Sequence, residues 1–232
     1  CCPSRSGISC SKGIVSDWLT WQLIDSAFPT GAFAHSWGLE SAWHHGEIDG
    51  PGDLSAFVKA AVLQTGHAVL PLLNDAHREH GRLEALDALA EAFLLNAVAN
   101  RASRIQGRTL VATASRIWPS SAMSDLKRRS EAACAHVAPL SGAVLAHLGL
   151  PLASAQRVAL YTTMRGVLAA AVRLGIAGSY EAQRLQAAST PWLDAVAARC
   201  HALTADDLAQ TSPLVDLAQS AHDRLYSRLF QS

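Results

Sequence analysis

The chain has 232 residues, half of them apolar and 16% charged, with nineteen Lys and Arg balancing nineteen Asp and Glu. A chain of this length buries roughly 70% of the surface its unfolded form exposes, so one domain is expected, with no need of disulfide or metal to hold its core. Zero net charge leaves no field for general attraction of phosphate backbones or anionic lipid, so no nucleic-acid or membrane partner is expected.

No uninterrupted apolar stretch approaches the roughly 20 residues that span a bilayer, which predicts a soluble, cytoplasmic protein. Five cysteines are an odd number, and Cys134 and Cys200 sit in Ala-rich context, so a secreted disulfide framework is not expected. Residues 1–16 carry Cys1, Cys2 and Cys10 among Ser, Gly, Pro and Arg without an apolar h-region, and read as an N-terminal tail.

Apolar residues recur at three and four spacing almost throughout, and β-branched residues rarely alternate with polar ones. The periodicity predicts an all-α fold, a single irregular bundle of about ten helices over residues 17–232. The first helix starts after Ser16 or Asp17, turns Trp18, Leu19, Trp21, Leu23 and Ile24 largely inward, and breaks at Phe28, Pro29, Thr30 and Gly31. A second helix is expected over 36–45, and a third after the turn at 50–53, capped by Asp53, with Leu54, Phe57, Val58, Ala61 and Val62 buried and a kink or restart at Pro71. The stripe Leu83, Leu86, Leu89, Phe93, Leu94, Ala97, Val98 continues from Arg101 towards Ile117 and stops at Trp118 and Pro119. Helices follow over 123–136, 140–148 and 153–174, the last expected to be central. Three short ones close the chain: 181–188, one opened by Thr190 and Pro191, and one opened by Thr204.

No phosphate-binding loop, dinucleotide-binding turn, HExxH helix, paired CxxC or GxSxG elbow occurs, so no catalytic residue, cofactor-binding residue or metal ligand is assigned. His77 and His80 share a helical face, but two ligands do not close a metal site, and a surface role is favoured. His44 and His45 point about 100° apart and do not share an ion easily. Lys127, Arg128 and Arg129 beside Glu131 read as a solvated helix face.

Three segments are denser in special residues than packing requires. The first, residues 25–40, combines a rigid turn at Phe28, Pro29 and Gly31 with His35, Trp37 and Glu40. The second, residues 101–107, sets Arg101 and Arg104 on one face, followed by Gln106 and by Gly107, a residue that signals close approach of another backbone. The third, residues 222–232, gathers His222, Tyr226, Ser227, Arg228, Leu229 and Phe230, types that anchor interfaces.

Together these segments resemble the UreF family of urease accessory proteins. The pattern D-S-A-F-P-T-G-A-F-A-H-S-x-G-L-E at 25–40 is the most specific part. R-x-S-R-x-Q-G at 101–107, H-x-A-P-L-S-G at 136–142, A-A-V-R-L-G at 170–175, Gln183 and the tail L-Y-S-R-L-F-x-S extend it over nearly everything from Trp18 onward. Trp37 departs from the small or polar residue usual in the first pattern, and residues 1–16 match nothing in the family.

The resemblance implies a non-enzymatic, all-α chaperone-like scaffold. It would bridge a UreD-type (UreH-type) protein and a UreG-type GTPase while nickel is inserted into apo-urease, working as a homodimer, with nickel handled by the complex and not bound stably by this chain. The tail 223–232, with Tyr226, Arg228, Leu229 and Phe230, would become ordered on partner binding, so its deletion should leave melting nearly unchanged. Phe28, Pro29, Gly31, His35, Glu40, Arg101, Arg104 and Gln106 would contribute to shared surfaces or to elements that shape them. Two alternatives stay open: a regulator that supplies Arg101 or Arg104 to the bound GTPase, and direct nickel binding by His35, His77 or His80.

Overall fold

A computed structural model describes residues 17–30 and 35–231, and these are all-α. Among the described residues there are ten helices: α1 Asp17–Ile24, α2 Leu39–His44, α3 Pro51–Arg78, α4 Leu83–Phe93, α5 Ala97–Ile117, α6 Ser121–Glu131, α7 Val137–His147, α8 Leu152–Arg173, α9 Ser179–Cys200 and α10 Pro213–Ala221. Short 3-10 turns at His80–Arg82, Ala205–Asp207 and His222–Arg224 complete the path. Residues 1–16, with Ser16 and the three early cysteines, lie outside the described residues, as does Gly31.

Helix α3 runs through Pro71 instead of restarting there. A π turn at Thr65–Val69 precedes the proline, and the carbonyl of His67, which a residue 71 with an N–H would bond, accepts instead from the N–H of Ala209 at 3.2 Å. That continuity makes α3 the one helix among the described residues long and apolar enough to cross a membrane; 61% of its most apolar 18-residue window is buried inside the fold, as in a core helix. Its start also differs, since Gly50 precedes Pro51 at the N-terminus, and Asp53 instead accepts the N–H of Asp49 at 3.0 Å.

Helix α9 likewise passes through Pro191, where a break with Thr190 as cap was expected. The carbonyl that Pro191 leaves without a helical donor belongs to Ala187, an exposed residue within reach of water. Helix α2 starts later than expected because Trp37 (φ 58°) and Gly38 (φ 86°) are left-handed. A Cβ on Gly38 would stand 2.7 Å from the main-chain nitrogen of Gln219, so glycine is what lets α2 meet α10. In α1 only Leu23 is buried; Trp18 (71% exposed) and Trp21 (55%) lie on the outer face and pack edge to face with each other at 4.8 Å. A helix of eight residues that touches the body along one stripe has no second side to bury them on.

The expected helix 123–136 ends at Glu131, and a turn of residues 132–136 leads into α7. Asp87 on α4 holds that turn: its carboxylate accepts the N–H of Ala135 at 3.0 Å and of His136 at 2.6 Å. Between 94 and 96 the Leu83-to-Ile117 stripe is interrupted, and Asn96 caps α5 by accepting from Val98 and Ala99.

The core forms where α7 lies on the second half of α3, with α5 and α4 on its other sides. Gly142 permits this approach, since a Cβ there would stand 2.3 Å from the Leu73 carbonyl oxygen. Helix α8, expected to be central, touches α1, α2, α3, α7 and α9 and buries Ala155, Leu160, Met164, Val167, Leu168 and Ala171 among them.

Candidate functional site

Two of the three segments dense in special residues meet at one carboxylate. Glu40, in the first turn of α2, is 2% exposed. Its Oε2 accepts from His222 Nε2 at 2.9 Å and from the main-chain N–H of Phe230 at 3.2 Å, while its Oε1 accepts the N–H of Leu229 at 2.6 Å. A carboxylate without such donors is costly to bury, and here the residues after α10 supply all of them.

The 101–107 segment joins from the other side. Arg101 on α5 grips Asp223 with one guanidinium nitrogen, at 2.9 and 3.0 Å to the two carboxylate oxygens. Arg228 also donates to Asp223, at 3.0 Å. All three groups are partly solvated, so these pairs set register more than stability.

Phe230 closes the clamp. Its ring is buried, with the Arg173 guanidinium 4.4 Å above its centroid. The tail expected to gain order from a partner is therefore already laid down on its own chain through residue 230. Phe230 and His222 are supports inside the fold, whereas Tyr226, Ser227, Arg228 and Leu229 form the exposed stretch between them. The physical reason is Glu40: an unpaired carboxylate at that depth requires donors, and the tail carries them.

His35 is buried beside this junction. Burial, then His222 and Arg101, lower its pKa from 6.5 to about 4, so the imidazole is neutral at pH 7. With Trp37 and Gln106 it lines one cleft that also touches Gln219. Arg104 Nε donates to the Cys134 carbonyl at 3.3 Å. Phe28 is buried in ring contact with Trp118 at 5.9 Å, and the Pro29 carbonyl accepts from Thr113 Oγ1 at 2.9 Å. Phe28 and Pro29 thus anchor the turn to α5, away from the Glu40 clamp, while Gly31 lies outside the described residues.

The other histidine candidates are engaged locally. His77 Nε2 lies 2.8 Å from the Leu150 carbonyl, and His80 Nδ1 lies 2.9 Å from the Ala76 carbonyl, with its ring 4.5 Å from that of His147. Arg129, read as part of a solvated face, makes a two-pronged pair with Glu84 at 2.6 and 2.7 Å.

Asp223 and Arg173 were not among the residues singled out from the sequence. Asp223 lies in the 222–232 segment and Arg173 inside the A-A-V-R-L-G pattern at 170–175; an Arg-rich tail that needs an acid was the sign for Asp223, whereas the Arg173–Phe230 contact joins residues far apart in sequence and left no local sign.

The chain is similar to known proteins over most of its length. The sequence model of a family described as UreF matches residues 48–190. Urease accessory protein F of Arabidopsis thaliana is 36% identical over 221 residues, covering 93% of this chain and 92% of the relative. Urease accessory protein F of Oryza sativa subsp. indica is 34% identical over 219 residues, with 92% and 84% covered. Urease accessory protein UreF of Rhodopseudomonas palustris (strain BisA53) is 32% identical over 220 residues, with 92% and 91% covered. With a family match over more than half of its residues and relatives of this likeness, the chain belongs to the UreF family of urease accessory proteins.

Proposed function

We propose that this chain is a scaffold for urease maturation that bridges a UreD-type (UreH-type) protein and a UreG-type GTPase during nickel insertion into apo-urease. As a member of a family of accessory proteins it is not an enzyme, and its role lies in urease maturation. The finer reading has it acting in the cytoplasm as a homodimer, with nickel as cargo of the complex.

The observation that carries this reading is the clamp at Glu40. It holds Leu229 and Phe230 by their main chain and leaves Tyr226, Ser227 and Arg228 outward on a fixed frame. A preorganised aromatic and arginine pair loses less entropy on binding than a free tail, and these residue types dominate interface energetics. Supply of Arg101 or Arg104 to the GTPase would first require release of Arg101 from Asp223 or of Arg104 from the Cys134 carbonyl, so the scaffold is favoured over the regulator.

The test is co-purification of the intact protein and of Tyr226→Ala and Arg228→Ala variants with UreD-type and UreG-type proteins, scored by multi-angle light scattering and urease activation. Loss of capture by folded variants is expected. Full capture and activation by the combined Tyr226→Ala and Arg228→Ala variant would overturn the reading.

A further inference from the structure

Away from the clamp, one cluster of side chains is assembled that neither the core nor the proposed function uses. Glu91 on α4 and Cys134 and His136 in the turn before α7 bring a carboxylate oxygen, a thiol sulfur and an imidazole nitrogen all within 4.8 Å of one another. Cys134 and His136 are only two residues apart, and the backbone between them is shaped for it. Ala135 is left-handed at φ 69°, its N–H and that of His136 are fixed by Asp87, and its carbonyl abuts Gly107, where a Cβ would stand 2.1 Å away.

We propose that Glu91, Cys134 and His136 form a binding site for a divalent transition-metal ion of the zinc class, with the fourth position open to water. One sulfur, one nitrogen and one carboxylate oxygen are a borderline-soft donor set, which suits Zn2+ and its first-row neighbours and not the all-oxygen sites of Mg2+ or Ca2+. Bonds of about 2.0–2.3 Å to a tetrahedral ion set its ligand atoms about 3.5 Å apart. His136 Nε2 and Glu91 Oε2 are now in hydrogen-bond contact at 2.8 Å, so seating an ion between them requires the carboxylate to swing outward. Glu91 is free to do so, since its side chain is 41% exposed while that of His136 is wholly buried.

The outer layer has the form that orients metal ligands. Ser103 Oγ lies 3.1 Å from His136 Nδ1, leaving Nε2 to face the cluster. Asn100 donates to Glu91 Oε2 at 3.1 Å, and Arg104 holds the Cys134 carbonyl. Burial, then the Glu91 and Asp87 carboxylates, push the Cys134 thiol up. Binding converts that thiol to thiolate, and its proton leaves to solvent as the metal–sulfur bond forms.

The proposal stands apart from the maturation reading, because its test uses the metal alone. Full-length protein is titrated with Co2+ and followed by the thiolate-to-cobalt charge-transfer absorbance, then back-titrated with Zn2+. One equivalent bound per chain, with a thiolate band that Zn2+ removes, is expected. Cys134→Ser should abolish the band and weaken binding at least ~10-fold, and Glu91→Gln should weaken binding and keep the band. The combined Cys1→Ser, Cys2→Ser and Cys10→Ser variant should retain both. Absence of the band in the native protein, its survival in Cys134→Ser, unchanged affinity in Glu91→Gln, or its loss in the N-terminal triple variant overturns the site.

Discussion

Glu40 Oε2 accepts the main-chain N–H of Phe230 at 3.2 Å across 190 residues of sequence. The carboxylate that starts α2 is thereby the acceptor that ends the described chain, and the His222 ring lies on the same oxygen. Replacing Glu40 by Ala strips acceptors from Leu229, Phe230 and His222 together. The expected cost is about 3 kcal/mol, because donors left buried and unpaired are penalised more than the lost bonds themselves contribute. Denaturant midpoint and amide exchange at 229 and 230 check it; slow exchange persisting in Glu40→Ala would refute the clamp.

The tail divides into a buried anchor and an exposed display, and substitutions should separate the two. Arg228→Ala removes a solvated pair with Asp223 and should change stability by no more than ~1 kcal/mol. Phe230→Ala empties a buried ring site under Arg173 and should cost about 3 kcal/mol. Deletion of 225–232 carries that second cost, so its melting temperature should fall instead of staying nearly unchanged. Thermal unfolding of the three variants, followed by circular dichroism, is the measurement.

His35 makes stability depend on pH in a defined window. Its folded pKa of about 4 lies below the ordinary 6.5, so the unfolded chain binds a proton at this site more readily than the folded one. The stability it contributes is complete above pH 6.5 and is lost as pH falls towards 4, on the order of 3 kcal/mol in all. Urea midpoints measured from pH 7 to pH 4 should drop more steeply for the native protein than for His35→Gln, and parallel curves would contradict the assignment.

Gly107→Ala tests the seat of the Cys134–His136 turn. The added Cβ would lie 2.1 Å from the Ala135 carbonyl oxygen, a backbone atom that Asp87 and α7 hold in place. Overpacking there should cost about 1–3 kcal/mol, which for a chain of this size lowers the melting temperature by roughly 2–4 °C per kcal/mol. An unchanged melting temperature would mean that the turn is free to shift.

Local signals in the sequence were read well where one helix and its neighbour in the chain settle the matter. The stripe Leu54, Phe57, Val58, Ala61 and Val62 in α3, the stop at Trp118 and Pro119, the cap at Thr204 and the close approach at Gly107 all follow from propensity and from the absence of a Cβ, whereas Leu89 and Ala97 of the 83–98 stripe are exposed. Prolines misled wherever a distant group compensated. Pro71 did not break α3 because Ala209, far along the chain, bonds the carbonyl it orphans, and Pro191 did not break α9 because the orphaned carbonyl lies on a wet face.

The sequence by itself determined that this protein is all-α, that residues 25–40, 101–107 and 222–232 are special, and that the chain resembles the UreF family, because each rests on periodicity or on a contiguous pattern. Only the tertiary structure decided that Glu40, Arg101 and Asp223 gather the tail into one clamp, and that Glu91 meets Cys134 and His136. Those pairings span from 43 to 190 residues, as Glu91–Cys134–His136 and Glu40–Phe230 show. No local rule encodes them, since what brings the groups together is the packing of α2 on α10 and of α7 on α4 and α5, and the demand of a buried carboxylate for donors.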